Sequence, residues 1–364
     1  MSRNQQQAVL EAGWGFRAPH LAPLGDGHIN DTLLVRAPWP SGLATALQST
    51  LTPAEEGTGV FSFVLQRINQ TVFTDPARVT SNLRRVVHHL EGSGVPLAPL
   101  LPTSDGEAAW VDEHGDWWRL WGYVTATRSL SRTDELPVAE AAGRAFGAFQ
   151  SALADLPAPP LEATIPGFLE LRGYLQQFDA VRGSSAALAR EADACIGATL
   201  DASAIEALRG LADRFPPKNT LIHGDCKLNN LLFAADAPVV RAVVDLDTVM
   251  GGHWAWDFGD LARSLLNAAS DSGKGAEIFL AAARGFLEGA NRRASADDLA
   301  LALHYVAFML GIRFLTDHLE GDRYFKVARS GDNLARARVQ FELLRRFPAE
   351  ALAAVVRPLP QVVP

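Results

Sequence analysis

The sequence predicts an α+β fold with a β-rich N-terminal lobe, residues 1–124, and a mainly helical C-terminal lobe, residues 125–364. Short runs of β-type residues separated by turn residues occupy the first third of the chain. Apolar residues then recur at helical spacing from about Asp134. One strand-rich segment, residues 219–249, interrupts the helical part. A chain of 364 residues is also longer than one hydrophobic core usually serves.

Composition limits the class of protein. Hydrophobic residues make up 48% and charged residues 20%, which is typical of a globular protein. The net charge of −8 disfavours nucleic-acid binding. Two cysteines, Cys195 and Cys226, are too few for a disulfide framework and favour a reducing compartment. No secretory signal and no uninterrupted apolar run of membrane-spanning length is visible, so we expect a cytoplasmic protein without a membrane partner.

Strands and one helix account for the N-terminal lobe. β-type residues run through 31–37 and 61–68, and residues 108–124 show two further runs around a Glu-His-Gly-Asp turn. A helix is predicted after Asp75, which we place as its N-cap, with Pro76 at the first helical position.

Helices dominate the C-terminal lobe. Apolar residues recur at helical spacing from Leu136 to Leu153, which predicts its first helix. Further helical patterns cover residues 201–215, 255–268, 274–290, 297–320 and 331–346.

The octapeptide HGDCKLNN, residues 223–230, lies between the apolar runs TLI and LLF. Asp225 precedes Asn230 by five residues, and Asp245 follows inside the apolar run AVVDLD. Buried carboxylates are costly unless they are paired, hydrogen-bonded or bound to a cation. An Asp and an Asn at this spacing, followed by a second Asp on a nearby strand, form the pattern of a phosphoryl-transfer loop and its metal ligands.

The oxygen atoms of this pattern suit Mg²⁺. Asp245 and Asp247 alternate with apolar neighbours, so both would point to one face of an extended strand. Mg²⁺ takes few protein carboxylates and completes its shell with phosphate and water. We predict Asn230 and Asp245 as Mg²⁺ ligands, with Asp247 as a further candidate. Asp225 is then available to deprotonate a hydroxyl, and Lys227 to contact the γ-phosphoryl group of ATP.

Two other interpretations of this loop stay open. HGDCKLNN can be a polar turn between two strands, because short motifs occur by chance. A two-metal hydrolase would use His223, Asp225, Asp245 and Asp247, although the chain offers no additional histidines at ligand spacing.

The tripeptide DFG at 257–259 is the other apparent metal motif. It directly precedes a helical pattern, so we predict that Asp257 or Asp260 caps the helix or braces a turn. Metal binding by Asp257 is the alternative.

A turn with Gly25 and Gly27 precedes the strand 31–37. Glycines let backbone N–H groups approach nucleotide phosphates closely, although a plain hairpin is the alternative. The first 217 residues contain no lysine, so we predict Arg67 as the phosphate-binding cation of this lobe. The alternative for Arg67 is a solvent-facing position on an edge strand.

Six phrases occur in order between residues 25 and 325: GDGHINDT, FVLQRIN, HGDCKLNN, VVDLDTVMGG, WDFGD and GIRFLTDHLEGDRYF. Together they resemble the aminoglycoside phosphotransferase and choline kinase superfamily, and within it the N-acetylhexosamine 1-kinase family. The resemblance implies a two-lobed protein-kinase-like fold. It also implies Mg²⁺-ATP-dependent in-line transfer to the anomeric hydroxyl of N-acetylglucosamine or N-acetylgalactosamine. Asp225 would be the base, Asn230 and Asp245 the metal ligands, and Arg313 and Tyr324 sugar contacts.

The residues implied as acceptor contacts also have ordinary explanations. Arg313 and Asp317 are four residues apart on a helix and would form either a surface ion pair or the polar part of a pocket. Tyr324 would stack on a sugar or belong to the core. His28, Asn30 and Asp31 follow the glycine turn, where they would either close over the acceptor or cap the turn.

Two alternatives to a sugar 1-kinase remain. One is a kinase of another small alcohol, such as an aminoglycoside, choline, homoserine or a different sugar. The other is a catalytically silent protein that binds nucleotide or sugar. The absence of lysine from the N-terminal lobe favours the catalytically silent protein. The intact set of Asp225, Asn230 and Asp245 argues against a silent protein. Cys226 departs from the small polar residue expected in the loop and places a thiol there.

Overall fold

A computed structural model of the chain describes residues 3–25, 30–53, 58–217, 220–268 and 273–363. The chain divides into two compact units. The first unit comprises Met1–Arg128, Leu232–Ala237 and Arg241–Asp247. The second comprises Ser129–Leu231, Pro238–Val240 and Thr248–Pro364. The predicted division into a nucleotide-binding lobe, 1–124, and a catalytic and acceptor lobe, 125–364, stays a prediction.

A six-stranded antiparallel sheet organises the first unit. Its strands run in the order β1-β2-β3-β6-β4, and β5 also pairs with β6. The strands are β1 (His20–Pro23), β2 (Asp31–Pro38), β3 (Val60–Arg67), β4 (Leu100–Leu101), β5 (Trp110–Val111) and β6 (Trp117–Gly122). The predicted strands at 31–37 and 61–68 are confirmed, as are the two runs within 108–124. Because β3 lies between β2 and β6, the expectation of an edge strand for Arg67 is wrong.

Two helices, α1 (Arg3–Trp14) and α2 (Pro76–Leu90), accompany this sheet. The side chain of Asp75 accepts a hydrogen bond from the N–H of Arg78 at 3.0 Å, so the predicted N-cap of α2 is confirmed. The buried core of the sheet joins α1 to the inward faces of β2, β3 and β6 through Trp14, Val35, Phe63, Leu65 and Trp118.

The chain returns to the first unit in a smaller sheet of order β10-β9-β7. Its strands are β7 (Thr127–Ser129), β9 (Leu231–Ala234) and β10 (Val240–Val243). Strand β10 ends before Asp245, which has a left-handed φ of 64°. A 3-10 turn, Leu246–Thr248, follows. The predicted extended alternation of Asp245 and Asp247 is therefore wrong, because the period of two holds only within a strand.

The second unit is mainly helical, as predicted. Its helices are α3 (Leu136–Ala152), α4 (Leu171–Gly183), α5 (Ala186–Gly197), α6 (Ala202–Arg214), α7 (Trp254–Ala268), α8 (Gly275–Gly289), α9 (Ala296–Leu319), α10 (Asp332–Arg346) and α11 (Ala349–Val356). Two short sheets complete it: β8 (Thr220–Ile222) with β11 (Met250–Gly252), and β12 (Ala294–Ser295) with β13 (Val362–Val363).

Glycines bring α3 and α8 into close backbone contact. A Cβ atom at Gly143 would lie 2.2 Å from the carbonyl oxygen of Ala282, and one at Gly285 would lie 2.0 Å from that of Glu140. No larger residue fits such an approach without displacing backbone. The packing fixes α3, which carries three side chains used by the HGDCKLNN loop.

Helix α9 is long and apolar enough to cross a membrane by length and composition. Most of it is buried inside the protein, as expected of a core helix. It packs against α4, α7, α10 and α11.

Candidate active site

The HGDCKLNN loop connects β8 to β9, and its last residues, Leu228–Asn230, form one 3-10 turn. Gly224 adopts a φ of 82°, and a Cβ atom there would lie 2.6 Å from the carbonyl oxygen of Thr248. Both the left-handed backbone and the close approach require glycine. The N–H of Leu228 donates to Ser264 Oγ at 3.1 Å, which ties the loop to α7.

Asp257 braces the loop from α7. Its Oδ2 accepts from the N–H of His223 at 2.8 Å, and its Oδ1 accepts from the N–H of Gly224 at 2.9 Å. Gln150 of α3 donates to Oδ2 at 2.7 Å. The carboxylate is 1% exposed, and burial raises its pKa against the effect of nearby His223 and these hydrogen bonds. The predicted turn-bracing role of Asp257 is confirmed, whereas Asp260, placed within α7, pairs with Arg263.

His223 is enclosed by the aromatic side of α3. Its ring lies 5.3 Å from that of Phe146 and 5.4 Å from that of Phe149, measured between centroids. Its Nδ1 accepts from the N–H of Asp225 at 3.3 Å, and its carbonyl oxygen accepts from Thr248 Oγ1 at 2.9 Å. The histidine therefore holds the backbone on both sides of Gly224 and is fully buried.

Asp225, Lys227 and Asn230 form one polar group on this loop. Asn230 Nδ2 donates to the carbonyl oxygen of Asp225 at 2.8 Å and to its Oδ2 at 2.9 Å. Lys227 Nζ also lies 2.9 Å from Oδ2. Both side chains therefore engage the same carboxylate oxygen, Oδ2. The carboxylate is one-fifth exposed, which leaves it accessible to a substrate.

The amide of Asn230 turns its nitrogen toward Asp225. Both of its hydrogen bonds to Asp225 use Nδ2, so the amide oxygen faces away from that residue. An amide oxygen and a carboxylate are hard ligands of the kind that Mg²⁺ accepts in phosphoryl-transfer sites. Among the described residues, no group of three or more His, Cys, Asp and Glu side chains could hold a metal ion.

Asp247 of the first unit is engaged by nitrogen donors. Arg119 of β6 donates to both of its carboxylate oxygens, and its Nη2 lies 2.9 Å from Oδ2. Asn30 Nδ2 donates to Oδ2 at 2.7 Å. The pair is almost fully buried. Nitrogen donors therefore engage both carboxylate oxygens of Asp247, which opposes its predicted role as a further metal ligand.

Arg119 was not among the residues selected from the sequence. The signal was present, because an arginine inside the apolar run WWRLWG must find a partner if it is buried. The sequence alone does not show that the partner lies 128 positions further along the chain.

Arg67 has two carboxylate partners in the first unit. Its Nε donates to Asp31 at 3.0 Å and its Nη1 to Asp116 at 3.1 Å. Two of the residues selected from the sequence, Arg67 and Asp31, thus pair with each other. Gly25 lies in the hairpin between β1 and β2 with a φ of 69°, whereas Gly27 and His28 lie outside the described residues.

Arg313 lies among aromatic rings in the second unit. Its guanidinium carbon is 4.7 Å from the ring centroid of Tyr174, 5.1 Å from that of Phe325, 5.5 Å from that of Phe168 and 5.6 Å from that of Tyr324. Stacking on aromatic faces is a property of arginine that lysine does not share. Tyr324 is 56% exposed, so the interpretation of Tyr324 as a core residue is wrong.

The alternative of an ordinary surface ion pair between Arg313 and Asp317 is also wrong. Asp317 instead accepts from the N–H groups of Arg323, Tyr324 and Phe325 at 2.7 to 2.9 Å. Asn333 Nδ2 donates to the same carboxylate at 2.8 Å. Asp317 therefore fixes the segment that presents Tyr324.

Cys226 is a buried thiol within the loop. Burial raises its pKa well above the usual value, and the charges of Asp257 and Asp260 act in the same direction. The thiol is therefore protonated and unreactive at neutral pH.

A comparison with protein families matches residues 20–296 to APH, the phosphotransferase enzyme family. The chain belongs to this family. The predicted superfamily and the predicted class, a small-molecule phosphotransferase, are confirmed at this level.

Solved structures share the fold at low sequence identity. An aminopropanol kinase associated with a microcompartment is 18% identical, with a TM-score of 0.61 over 97% of this chain and all of its own. The amicoumacin kinase hAmiN is 13% identical, with a TM-score of 0.60 over 96% of this chain and 95% of its own. A choline/ethanolamine kinase family protein from Mesorhizobium loti is 18% identical, with a TM-score of 0.53 over 98% and 99%. The predicted protein-kinase-like α+β fold is confirmed.

Proposed function

We propose that this APH-family enzyme transfers the γ-phosphoryl group of ATP to the anomeric hydroxyl of an N-acetylhexosamine. The observation that carries the phosphotransfer is the loop in which Asn230 and Lys227 both engage Oδ2 of Asp225. That arrangement leaves one carboxylate oxygen to take a proton from an acceptor. A polar turn that only linked two strands would not need a buried carboxylate from another helix to hold its backbone.

Nucleotide and metal enter the proposal from the chemistry of the loop and from a structural relative. The structure of amicoumacin kinase contains AMP-PNP and Ca²⁺. We propose Mg²⁺ and ATP for this chain, with the amide oxygen of Asn230 and the carboxylate of Asp245 as the metal ligands. Bound Mg²⁺ supplies neutralisation of the charge on the transferring phosphoryl group. Gly25, Gly27 and Arg67 are the proposed contacts to the nucleotide phosphates, and Arg67 would exchange a carboxylate for a phosphate oxygen.

The protein's own residues carry the chemical step. Oδ1 of Asp225 accepts the proton of the acceptor hydroxyl while the hydroxyl oxygen forms its bond to the γ-phosphorus. The bond from the γ-phosphorus to the bridging oxygen breaks on the opposite side, and ADP leaves. The ammonium group of Lys227 contacts the transferring group, where a positioned cation stabilises developing charge.

Arg313 and Tyr324 support a neutral sugar as the acceptor. The resemblance implies both as sugar contacts, and we propose His28 and Asp31, which follow the glycine turn in the sequence, as further ones. The guanidinium can donate to an acetamide carbonyl, and the exposed ring of Tyr324 can stack on a sugar face. The four rings around Arg313 already hold a cation. The same position would therefore repel a cationic acceptor such as an aminoglycoside or choline.

A panel of acceptors with ATP and Mg²⁺ tests the proposal. The panel contains N-acetylglucosamine, N-acetylgalactosamine, galactose, choline, homoserine, aminopropanol and an aminoglycoside. We expect turnover with an N-acetylhexosamine and a product whose phosphate is acid-labile and assigned to the anomeric carbon by ³¹P NMR. Phosphate on the 6-hydroxyl, or turnover only with the amines, would rule out the 1-kinase.

Variants at the proposed acceptor contacts separate sugar binding from phosphotransfer. Arg313→Met should raise the KM for the sugar at least about tenfold, since a charged hydrogen bond contributes about 1.5–3 kcal/mol, while the KM for ATP stays unchanged. Arg190→Met, at an exposed position of α5, is the control and should match the parent enzyme. Equal KM values for the sugar in both variants would remove Arg313 from the acceptor site.

A further inference from the structure

A buried network of polar side chains crosses the sheet of the first unit. Arg119 is 1% exposed and uses its whole guanidinium edge. Its two terminal nitrogens bind the carboxylate of Asp247, and its Nε donates to Gln66 Oε1 at 3.0 Å. Trp121 Nε1 donates to the same Gln66 oxygen at 2.9 Å. This network of hydrogen bonds thus joins β3 and β6 to the 3-10 turn that contains Asp247.

Asn30 is a further member of this network. Its Nδ2 donates to Asp247 at 2.7 Å, and its Oδ1 accepts from the N–H of Asn69 at 3.0 Å. Asn30 is itself buried and lies immediately before β2. Asp247 therefore receives hydrogen bonds both from the sheet and from the residue that precedes β2.

Asp245 lies between two fixed points of the backbone. On one side, the N–H of Val243 donates to the carbonyl oxygen of Pro96 at 2.8 Å, and Val243 bridges to Leu97. On the other side, Arg119 and Asn30 hold Asp247. The residue between them has a φ of 64°, a conformation that L-residues keep only where the surroundings impose it.

We propose that Arg119 and Asp247 form a positioning pair, which holds Asp245 in its left-handed conformation and so sets the direction of its carboxylate. The inference rests on the proposed function through Asp245 as a metal ligand. Arg119 and Asp247 touch neither metal nor nucleotide in this account. Partners that orient a ligand in this way typically change metal affinity or activity by about 10–100-fold when they are removed.

The competing explanation is that the pair only stabilises the fold. A buried ion pair is weak evidence for stability, because well-packed apolar residues often replace one without loss. A purely structural pair would change thermal stability and leave the metal dependence of nucleotide binding as it is. A positioning pair would change that dependence even in a variant that folds normally.

Three variants separate the two explanations. Asn30→Ala removes one hydrogen bond to Asp247 and leaves the ion pair intact. Arg119→Lys keeps the charge and loses the planar fork. The double variant Arg119→Met/Asp247→Leu removes both charges, so no unpaired charge is buried. Arg17→Met, at an exposed position before β1, is the matched control.

The measurement is the affinity for AMP-PNP by calorimetry, with and without Mg²⁺, in the full-length protein. In the parent enzyme we expect Mg²⁺ to tighten AMP-PNP binding. In the double variant and in Arg119→Lys, we expect this tightening to fall by about 10–100-fold, while the affinity without Mg²⁺ stays within about twofold. Asn30→Ala should show a smaller fall in the same direction.

Two results have different meanings. If the folded variants keep the full effect of Mg²⁺, the positioning role is overturned and the proposed function stands. If the parent enzyme itself shows no effect of Mg²⁺, the metal-dependent part of the proposed function is overturned and the inference fails with it. Thermal unfolding of each variant, recorded alongside, shows which of them fold.

Discussion

The HGDCKLNN loop of the second unit and the turn 244–247 of the first are held in different ways. Each follows a short strand and carries a carboxylate assigned to the chemistry. Asp257 holds the loop through backbone N–H groups, so the side chains of the loop stay available. Arg119 holds the turn through the side chain of Asp247, so both carboxylate oxygens of Asp247 are engaged by the arginine.

The difference explains which acidic residues remain for function. A carboxylate that receives backbone hydrogen bonds can come from a neighbouring helix, so none of the loop's own carboxylates is needed to hold the loop. A carboxylate that pairs with a buried arginine is neutralised in place. Two aspartates in VVDLD therefore have different roles in this account, although they look equivalent in the sequence.

The largest effect on folding is expected from breaking the brace of the turn. Arg119→Met leaves Asp247 buried without its counter-ion and should lower the free energy of unfolding by about 3–5 kcal/mol. The double variant Arg119→Met/Asp247→Leu should recover most of this loss, since it buries no charge. Urea unfolding of both measures the difference. Equal losses in the two proteins would show that the charge left behind is not the cause.

Removing the brace of the loop should cost about as much. Asp257→Ala leaves the N–H groups of His223 and Gly224 buried without acceptors, at about 1–3 kcal/mol each. Asp257→Asn keeps one acceptor oxygen and should lose less. The unfolding midpoints in urea should therefore fall in the order parent, Asn, Ala. A variant Asp257→Ala as stable as the parent would contradict the bracing role.

The backbone of the loop should tolerate no side chain at Gly224. Gly224→Ala meets a positive φ and the carbonyl oxygen of Thr248, and a cost of about 1–3 kcal/mol is expected. Gly210→Ala, in α6 with open space around it, is the control and should be neutral or stabilising. Equal melting temperatures for the two variants would argue against a strained loop.

The smallest effect concerns the thiol of Cys226. Burial raises its pKa and that of Cys195, so the reactive thiolate form is scarce at pH 8. Ellman's reagent should react slowly with the folded protein. In denaturant it should react rapidly with both cysteines. A fast reaction assigned to Cys226 in the folded protein, by comparison with a Cys195→Ala variant, would show that the loop opens readily.

The predictable part of the fold is the part encoded by local patterns. The strands 31–38 and 60–67, the N-cap of α2 and the long helices follow from periodicity and capping. The role of Asp257 was also predictable, because its place at the start of a helical pattern distinguished it from a strand-borne ligand.

The remaining features depend on contacts between distant residues. The sequence around Asp245 predicts an extended strand, because its apolar neighbours favour one, whereas the structure has a left-handed turn there. The partners of Arg119 and Arg67, and the backbone segment held by Asp317, are set by tertiary packing. Sequence spacing identifies a residue that needs a partner, but not the partner itself.

The most direct test of the account is the turnover of Asp225→Asn. If Asp225 accepts the proton of the acceptor, kcat should fall by about 10²–10⁴-fold, and the affinity for AMP-PNP with Mg²⁺ should stay within about twofold. Asp236→Asn, at an exposed position after β9, is the control and should keep full activity. A variant Asp225→Asn with the kcat of the parent enzyme would contradict the assignment of Asp225 as the base.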